Sequence, residues 1–259
     1  NVIESMCGYL DMSGFPHEPP LRSGASVADS YTGINVAFAI VLACYNKKRT
    51  GKGMRIDVAM LDTMFAALED SVLTYALTGE SVSRTGNAKP REVVPYDAYD
   101  CADGFVCVSV TDESMWPGFC HAIEHPELID DPRYATNDLR CKNFEEFTAM
   151  MKEYMLTKNE EWLLERFGEY KIPAGKVIAP IDALENEQFI ARDMVLEYKD
   201  ANVGDMKTFG FPIKFSKSKG EIKKGSPALG ENTYEILESI GYSKDEIKTL
   251  ENEEIITGI

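Results

Sequence analysis

The stretch that decides the reading is SGASVADSYTGINVAFAIVLACYNKKRTGKG, residues 23–53. One carboxylate, Asp29, stands among small residues, and a long apolar run follows from Ser30 to Tyr45. A run that is apolar nearly all round predicts a central helix covered on every side. The cations Lys47, Lys48 and Arg49 and the glycines after them form an ordinary helix stop. Asp29 at the mouth of such a helix has two readings. It is a preferred N-cap residue, accepting backbone N–H bonds. The same helix terminus also stabilises negative charge. An ionised carboxylate beside Ala28, Ser30 and Gly33 can be approached closely and could attack an activated acyl group.

The segments on either side predict more structure. MRIDVAM alternates Ile56, Val58 and Met60 with Arg55, Asp57 and Ala59, which is the period of a short strand. LDTMFAALEDSVLTYALTG, residues 61–79, has the spacing of one amphipathic helix closed by Gly79. Residues 80–95 lack periodicity and predict a hinge loop. YDAYDCADGFVCVSV predicts a hairpin turning at Ala102–Gly104, with FVCVSV apolar on both faces. Helices are expected at 115–124, 143–156 and 159–170, the last opened by a capping box from Thr157 to Glu160. Strands are expected at MVLEYK and FPIKFS. Helices at 234–240 and 244–252 close the chain, the second with a Ser243–Glu246 capping box.

The 259 residues allow one large domain or two modest ones. The alternation of helix, strand and helix, interrupted by an α+β insertion, predicts an α/β unit split by a smaller domain. The divisions fall at 1–80, 81–190 and 191–259. A formal charge of −16 repels nucleic acid and anionic membrane. No stretch of 18 consecutive apolar residues is present, and no signal peptide opens the chain. The six cysteines form no CxxC pair and no zinc spacing. Cys44 and Cys107 are expected to be buried, and a reducing cytoplasm is the simplest setting.

Other candidates carry less. Lys47, Lys48, Arg49, Lys52 and Arg55 could bind phosphate, or could complement a helix C-terminus and stay solvated. His17, His121 and His125 make no readable catalytic set and suit surface or packing roles. Asp130 and Asp131 lie in a turn before Pro132. Trp116, Phe119, Phe144, Phe147 and Met151 have the spacing of a core.

GASVADSYTGINVAFAIVLACYNKKRTGKGMRIDVAMLDTMFAAL, residues 24–68, resembles the class III CoA-transferases. This is the CaiB/BaiF-type group that includes formyl-CoA:oxalate CoA-transferase. The family has an Asp, a Gly three or four residues later, a buried helix, and then a TGxGxxxDVxMLD stretch. Here these are Asp29, Gly33 and Thr50 to Asp62. HPELIDDPRYATNDLR, YKIPAGKV and ENEQFIARDMV are similar to the family's small domain and return linker, and SPALGENTYEILESIGYSKDEI to its C-terminal end.

The resemblance implies Asp29 as covalent nucleophile, with coenzyme A or acyl-CoA as cosubstrate, a small carboxylic acid as acceptor and no metal. It implies a partial Rossmann-like large domain split by a smaller domain, within an interlocked homodimer. RTGNAKPREVVP is similar to the family's substrate loop, which assigns Arg84, Gly86 and Asn87 to substrate binding. The loop lacks the consecutive glycines of the oxalate-type enzymes. The chain lacks the nucleotide-fold half that opens family members, and is expected to be the C-terminal part of a transferase. Two other readings stay open: an acyl-CoA racemase or epimerase on the same scaffold, and a non-catalytic fragment in which Asp29 only caps a helix.

Overall fold

The computed structural model describes residues 1–82, 84–200 and 202–256. By internal contacts the chain forms two units, residues 1–177 and 178–259. The class is mixed helix and strand, as the alternation predicts. Among the described residues both sheets are small and antiparallel, one of three strands and one of two.

The first unit opens with α1 (Val2–Cys7) and α2 (Tyr9–Met12). Then come α3 (Val27–Thr50), α4 (Met60–Ala66) and α5 (Asp70–Thr78). Cys7, Ala28 and Met64 make a small core, flanked by Ile3, Tyr9, Val27 and Met60. The Thr32 and Thr63 hydroxyls share a hydrogen bond of 2.8 Å that locks α3 to α4.

Three expectations fail in this layer. The helix expected over 61–79 is two helices, because the backbone turns at Glu69, whose φ is 52°. MRIDVAM forms no strand. A strand needs a neighbour to take up its N–H and C=O groups, and no described strand pairs with it. The third concerns α3. Only its first turns are covered, at Ala28 and Thr32. Ile34, Phe38, Val41 and Tyr45 are 68%, 64%, 65% and 67% exposed, and Cys44 is exposed as well. Among the described residues none buries a side chain of the outer turns. By length and composition α3 could cross a membrane. The consecutive-run criterion missed this because Thr32, Gly33 and Asn35 interrupt the run. Its stop is as expected: Gly51 adopts φ 73° and its N–H donates to the Lys47 carbonyl at 2.8 Å.

The larger core of the unit lies around β1 (Tyr96–Asp100) and β2 (Phe105–Ser109), the expected hairpin. Only one face of β2 is buried, through Val106 and Val108, while Phe105 and Cys107 face outward. The sheet therefore has one open side, which corrects the two-sided reading and the burial of Cys107. Beneath it lie α6 (Trp116–Ala122), α7 (Asn137–Lys142), α8 (Phe144–Met155) and α9 (Glu160–Glu169). Trp116, Phe119, Phe147 and Met151 lie in this core as their spacing predicts, with Phe144 partly buried against it, and Leu163 and Phe167 of α9 complete it. The capping box at 157–160 does not form. Asn159 caps α9 by accepting from Trp162 N, while Thr157 ends the preceding turn and donates to the Tyr154 carbonyl. A short edge strand, β3 (Ala174–Lys176), pairs with β2.

The second unit contains α10 (Glu187–Ala191) and a hairpin of β4 (Val195–Asp200) with β5 (Gly204–Phe209). FPIKFS is not a strand. The chain instead turns earlier, where Asp200 accepts from the backbone N–H groups of Asn202 and Val203 and Gly204 adopts φ 88°. α11 (Thr233–Ser239) and α12 (Lys244–Asn252) close the unit, and the Ser243–Glu246 capping box is present.

Candidate active site

Asp29 is the third residue of α3, not its cap; Ser26 holds the cap position and makes no side-chain capping bond. The carboxylate therefore sits within the first turn, where the helix dipole still favours negative charge. Asp29 is exposed. Among the described residues its side chain takes no hydrogen bond and no ion pair. The residue before it is the anchor: Ala28 is buried against α1 and α4. The loop that delivers the turn is tied down as well. Ser23 Oγ lies 3.3 Å from Oε1 of the buried Glu4 and 3.0 Å from the Ala25 carbonyl. A rigid turn thus presents a free carboxylate.

Space around Asp29 is set by glycine. Gly33 lies one turn along, on the same face. A Cβ placed on Gly33, or on Gly24 in the approaching loop, would meet nothing within 4 Å. The face is open to an incoming group. The basic residues Lys47, Lys48 and Arg49 in the last turn of the same helix, and Lys52 and Arg55 just beyond it, are exposed, and no ion pair neutralises them among the described residues.

Arg84, Gly86 and Asn87 lie in the 84–95 loop. Arg84 Nη1 donates to the Asp11 carbonyl at 3.0 Å and to Asp11 Oδ1 at 2.5 Å. Its Nε is buried with no partner among the described residues, so the guanidinium fork is not saturated. With Pro16, His17, Thr85, Pro90 and Phe144 it lines a pocket of about 460 Å³. Gly86 donates to the Gly14 carbonyl at 2.9 Å with φ 69°. Asn87 is exposed and lines a second groove, of about 470 Å³, with Tyr96, Phe105 and Cys107 on the open side of the sheet. Asp97, on the margin of that groove, has its carboxyl raised above the usual range by burial, opposed by the Ala98 N–H it accepts and by the Lys152 charge. No hydrogen bond or ion pair joins Asp29 to Arg84, Gly86 or Asn87 among the described residues.

Gly86 is a sharp test of the loop's geometry. A Cβ there would lie 2.8 Å from Phe15 Cδ1 and 2.9 Å from Cε1. Gly86→Ala combines that clash with a left-handed backbone that costs a non-glycine residue about 1–2 kcal/mol. The expected result is a stability loss of about 1–3 kcal/mol by urea denaturation; an unchanged midpoint would mean that the 14–15 and 84–86 segments are not packed as described.

Two features escaped the sequence reading. The Ser23–Glu4 tie joins residues 19 apart, and an acid in an amphipathic helix gives no sign of burial. The second is a set of side chains, Glu113, Asn137 and Arg140, that grips the far end of the 84–95 loop. Among the described residues no group of His, Cys, Asp and Glu is arranged to hold a metal ion.

An exposed carboxylate on a turn anchored by Ala28, with Gly33 on the same face, suits covalent chemistry on an acyl group. The chain belongs to CoA-transferase family III, which residues 1–233 match. It is 29% identical over 258 residues to the succinyl-CoA–D-citramalate CoA-transferase of Chloroflexus aurantiacus, covering 99% of this chain and 64% of that protein. It is 30% identical over 273 residues to the formyl-CoA:oxalate CoA-transferase of Streptomyces coelicolor, covering 98% of this chain and 66% of that one. The fold matches the crystal structure of a CaiB/BaiF family protein from Brucella suis with a TM-score of 0.77 and 30% identity, over 92% of this chain and 61% of that chain. The chain thus spans about two thirds of the length of these relatives.

Proposed function

We propose that the protein transfers coenzyme A from an acyl-CoA thioester to a free, small carboxylic acid, with Asp29 as the covalent nucleophile. The observation that carries this reading is an unpaired, exposed Asp29 on a turn anchored by Ala28, in a chain of this family. The Asp29 carboxylate attacks the thioester carbonyl, forming an aspartyl–acyl anhydride and releasing CoA thiolate. The thiolate attacks the aspartyl carbonyl of the anhydride, giving an aspartyl-CoA thioester and the free acyl acid. The acceptor carboxylate then attacks that thioester, forming a new anhydride and the thiolate again. Attack of the thiolate on the acceptor's carbonyl yields the product thioester and regenerates Asp29.

Arg84, Gly86 and Asn87 form the acid-binding loop in this scheme, the Arg84 fork with its unpaired Nε supplying positive charge. The enzyme is a cytoplasmic homodimer with no permanently bound cofactor. Its six unpaired cysteines suit a reducing compartment. The outer face of α3 is covered by protein rather than lipid, since its first turn carries the reacting carboxylate and shares a small core with Cys7 of α1 and Met64 of α4. Residues 1–80 and 191–259 belong to the large domain, and 81–190 to the small one.

Incubating the protein expressed from its complete gene with acyl-CoA and hydroxylamine tests this. Mass spectrometry is expected to find a hydroxamate at Asp29. Exchange of the substrate's α-proton into deuterated water with no adduct would defeat the reading in favour of racemisation.

A further inference from the structure

The 84–95 loop is held at two ends by very different means. At its start, Arg84 reaches Asp11, whose side chain is 74% exposed. At its end the grip is multiple and centred on a buried side chain. Arg140 is 1% exposed. Its Nε donates to the Val94 carbonyl at 2.6 Å, Nη1 to the Tyr134 carbonyl at 3.0 Å and Nη2 to Glu113 Oε2 at 3.0 Å. Its guanidinium lies over the Trp116 ring at 4.1 Å. Asn137 completes the grip: Oδ1 accepts from Val94 N at 3.1 Å and Nδ2 donates to the Glu92 carbonyl at 2.8 Å. Glu113 joins the two, because its other oxygen accepts from Asn137 N.

We propose that Asn137 and Arg140, joined by Glu113, are positioning residues that set the height and orientation of the 84–95 loop and so tune acceptance of the free acid. This rests on the assignment of Arg84, Gly86 and Asn87 to acid binding. The fork geometry matters. Only a guanidinium satisfies the Val94 carbonyl, the Tyr134 carbonyl and a carboxylate at once from a fixed plane. Only a side-chain amide accepts from one loop N–H while donating to a loop carbonyl two residues earlier. Val94 is thereby gripped at both its N–H and its C=O, and the loop's freedom is confined to the residues before Glu92. Small displacements of a substrate-positioning segment are enough to cost a large factor in rate.

Asn137→Ala is the leading test, because it removes both loop bonds without leaving a charge in the core. In the enzyme expressed from its complete gene, the KM for the acceptor acid is expected to rise at least about fivefold, with kcat changed less than about twofold. The backbone amides of residues 86–93 should exchange with deuterium at least about tenfold faster, while those of Val106 and Val108 are unchanged. Asn137→Asp keeps the acceptor toward Val94 N and is expected to recover part of the KM. Arg140→Lys is expected to raise the KM further, with a lower melting temperature. Unchanged KM and unchanged exchange in Asn137→Ala would overturn the proposal, as would an equal fall in all kinetic constants with a general rise in exchange. If the unaltered enzyme transfers no CoA, the functional reading fails; if it does and Asn137→Ala matches it, only the positioning role fails.

Discussion

Asp29→Asn is expected to stop CoA transfer, with kcat falling by at least about 10⁴-fold, on the scale seen when other enzymes lose a covalent nucleophile. The amide has nearly the shape of the carboxylate but does not attack a thioester. The variant should fold normally. Asp29 is exposed and makes no hydrogen bond among the described residues, so no structural contact is lost with it. What disappears is the charge–dipole attraction in the first turn of α3, about 0.3–1 kcal/mol. The measurement is steady-state transfer beside a thermal melt. A variant that keeps more than about one hundredth of the activity would remove Asp29 from the chemistry. A variant that is inactive and also unfolds many degrees early would be uninformative about the nucleophile, and Asp29→Ala with hydroxylamine trapping would then decide.

The second large effect is structural. Phe147→Ala is expected to destabilise the first unit by about 3–5 kcal/mol. Phe147 is fully buried; its ring centroid is 5.9 Å from that of Trp116 and 5.4 Å, edge-on, from that of Tyr134. Truncation removes both ring contacts and leaves a void that the hairpin and α6 cannot close. The chain has two tryptophans, Trp116 in this core and Trp162 packed against it. Their fluorescence therefore follows this unit during urea unfolding, whatever the rest of the chain does. A loss below about 1 kcal/mol would mean that the core is not packed as described.

The sequence was most legible where local rules act alone. The core residues from Trp116 to Met151 declared themselves through helical spacing, the hairpin through ADG between apolar runs, and α12 through its capping box. Illegible features depended on residues far apart or on partners outside the segment. Composition alone made α3 read as covered, because apolar content reports what a helix requires and not what this chain supplies. MRIDVAM has a strand's alternation, but alternation provides no neighbouring strand. AGK lies between proline and valine with a glycine at its centre, so it carries no propensity signal for the edge strand it forms. In the candidate site, Asp29 was legible as a carboxylate at a helix start, and the structure moved it from the cap into the first turn. The arrangement around the 84–95 loop was not legible. It joins Arg84 to Asp11 and Val94 to Arg140, across 73 and 46 residues.

Those two attachments differ in their response to ionic strength. The Asp11 carboxylate of the Arg84–Asp11 pair stands in solvent, where mobile ions weaken attraction over a distance of about 8 Å at physiological salt. At the other end Arg140 is enclosed, and ions do not reach its bonds to the Val94 and Tyr134 carbonyls. Concentrated salt therefore acts first on the Asp11 attachment. It weakens the Arg84–Asp11 attraction, while the Gly86 N–H to Gly14 carbonyl bond and the Val94 grip, which carry no net charge on the loop side, still tether the loop at both ends.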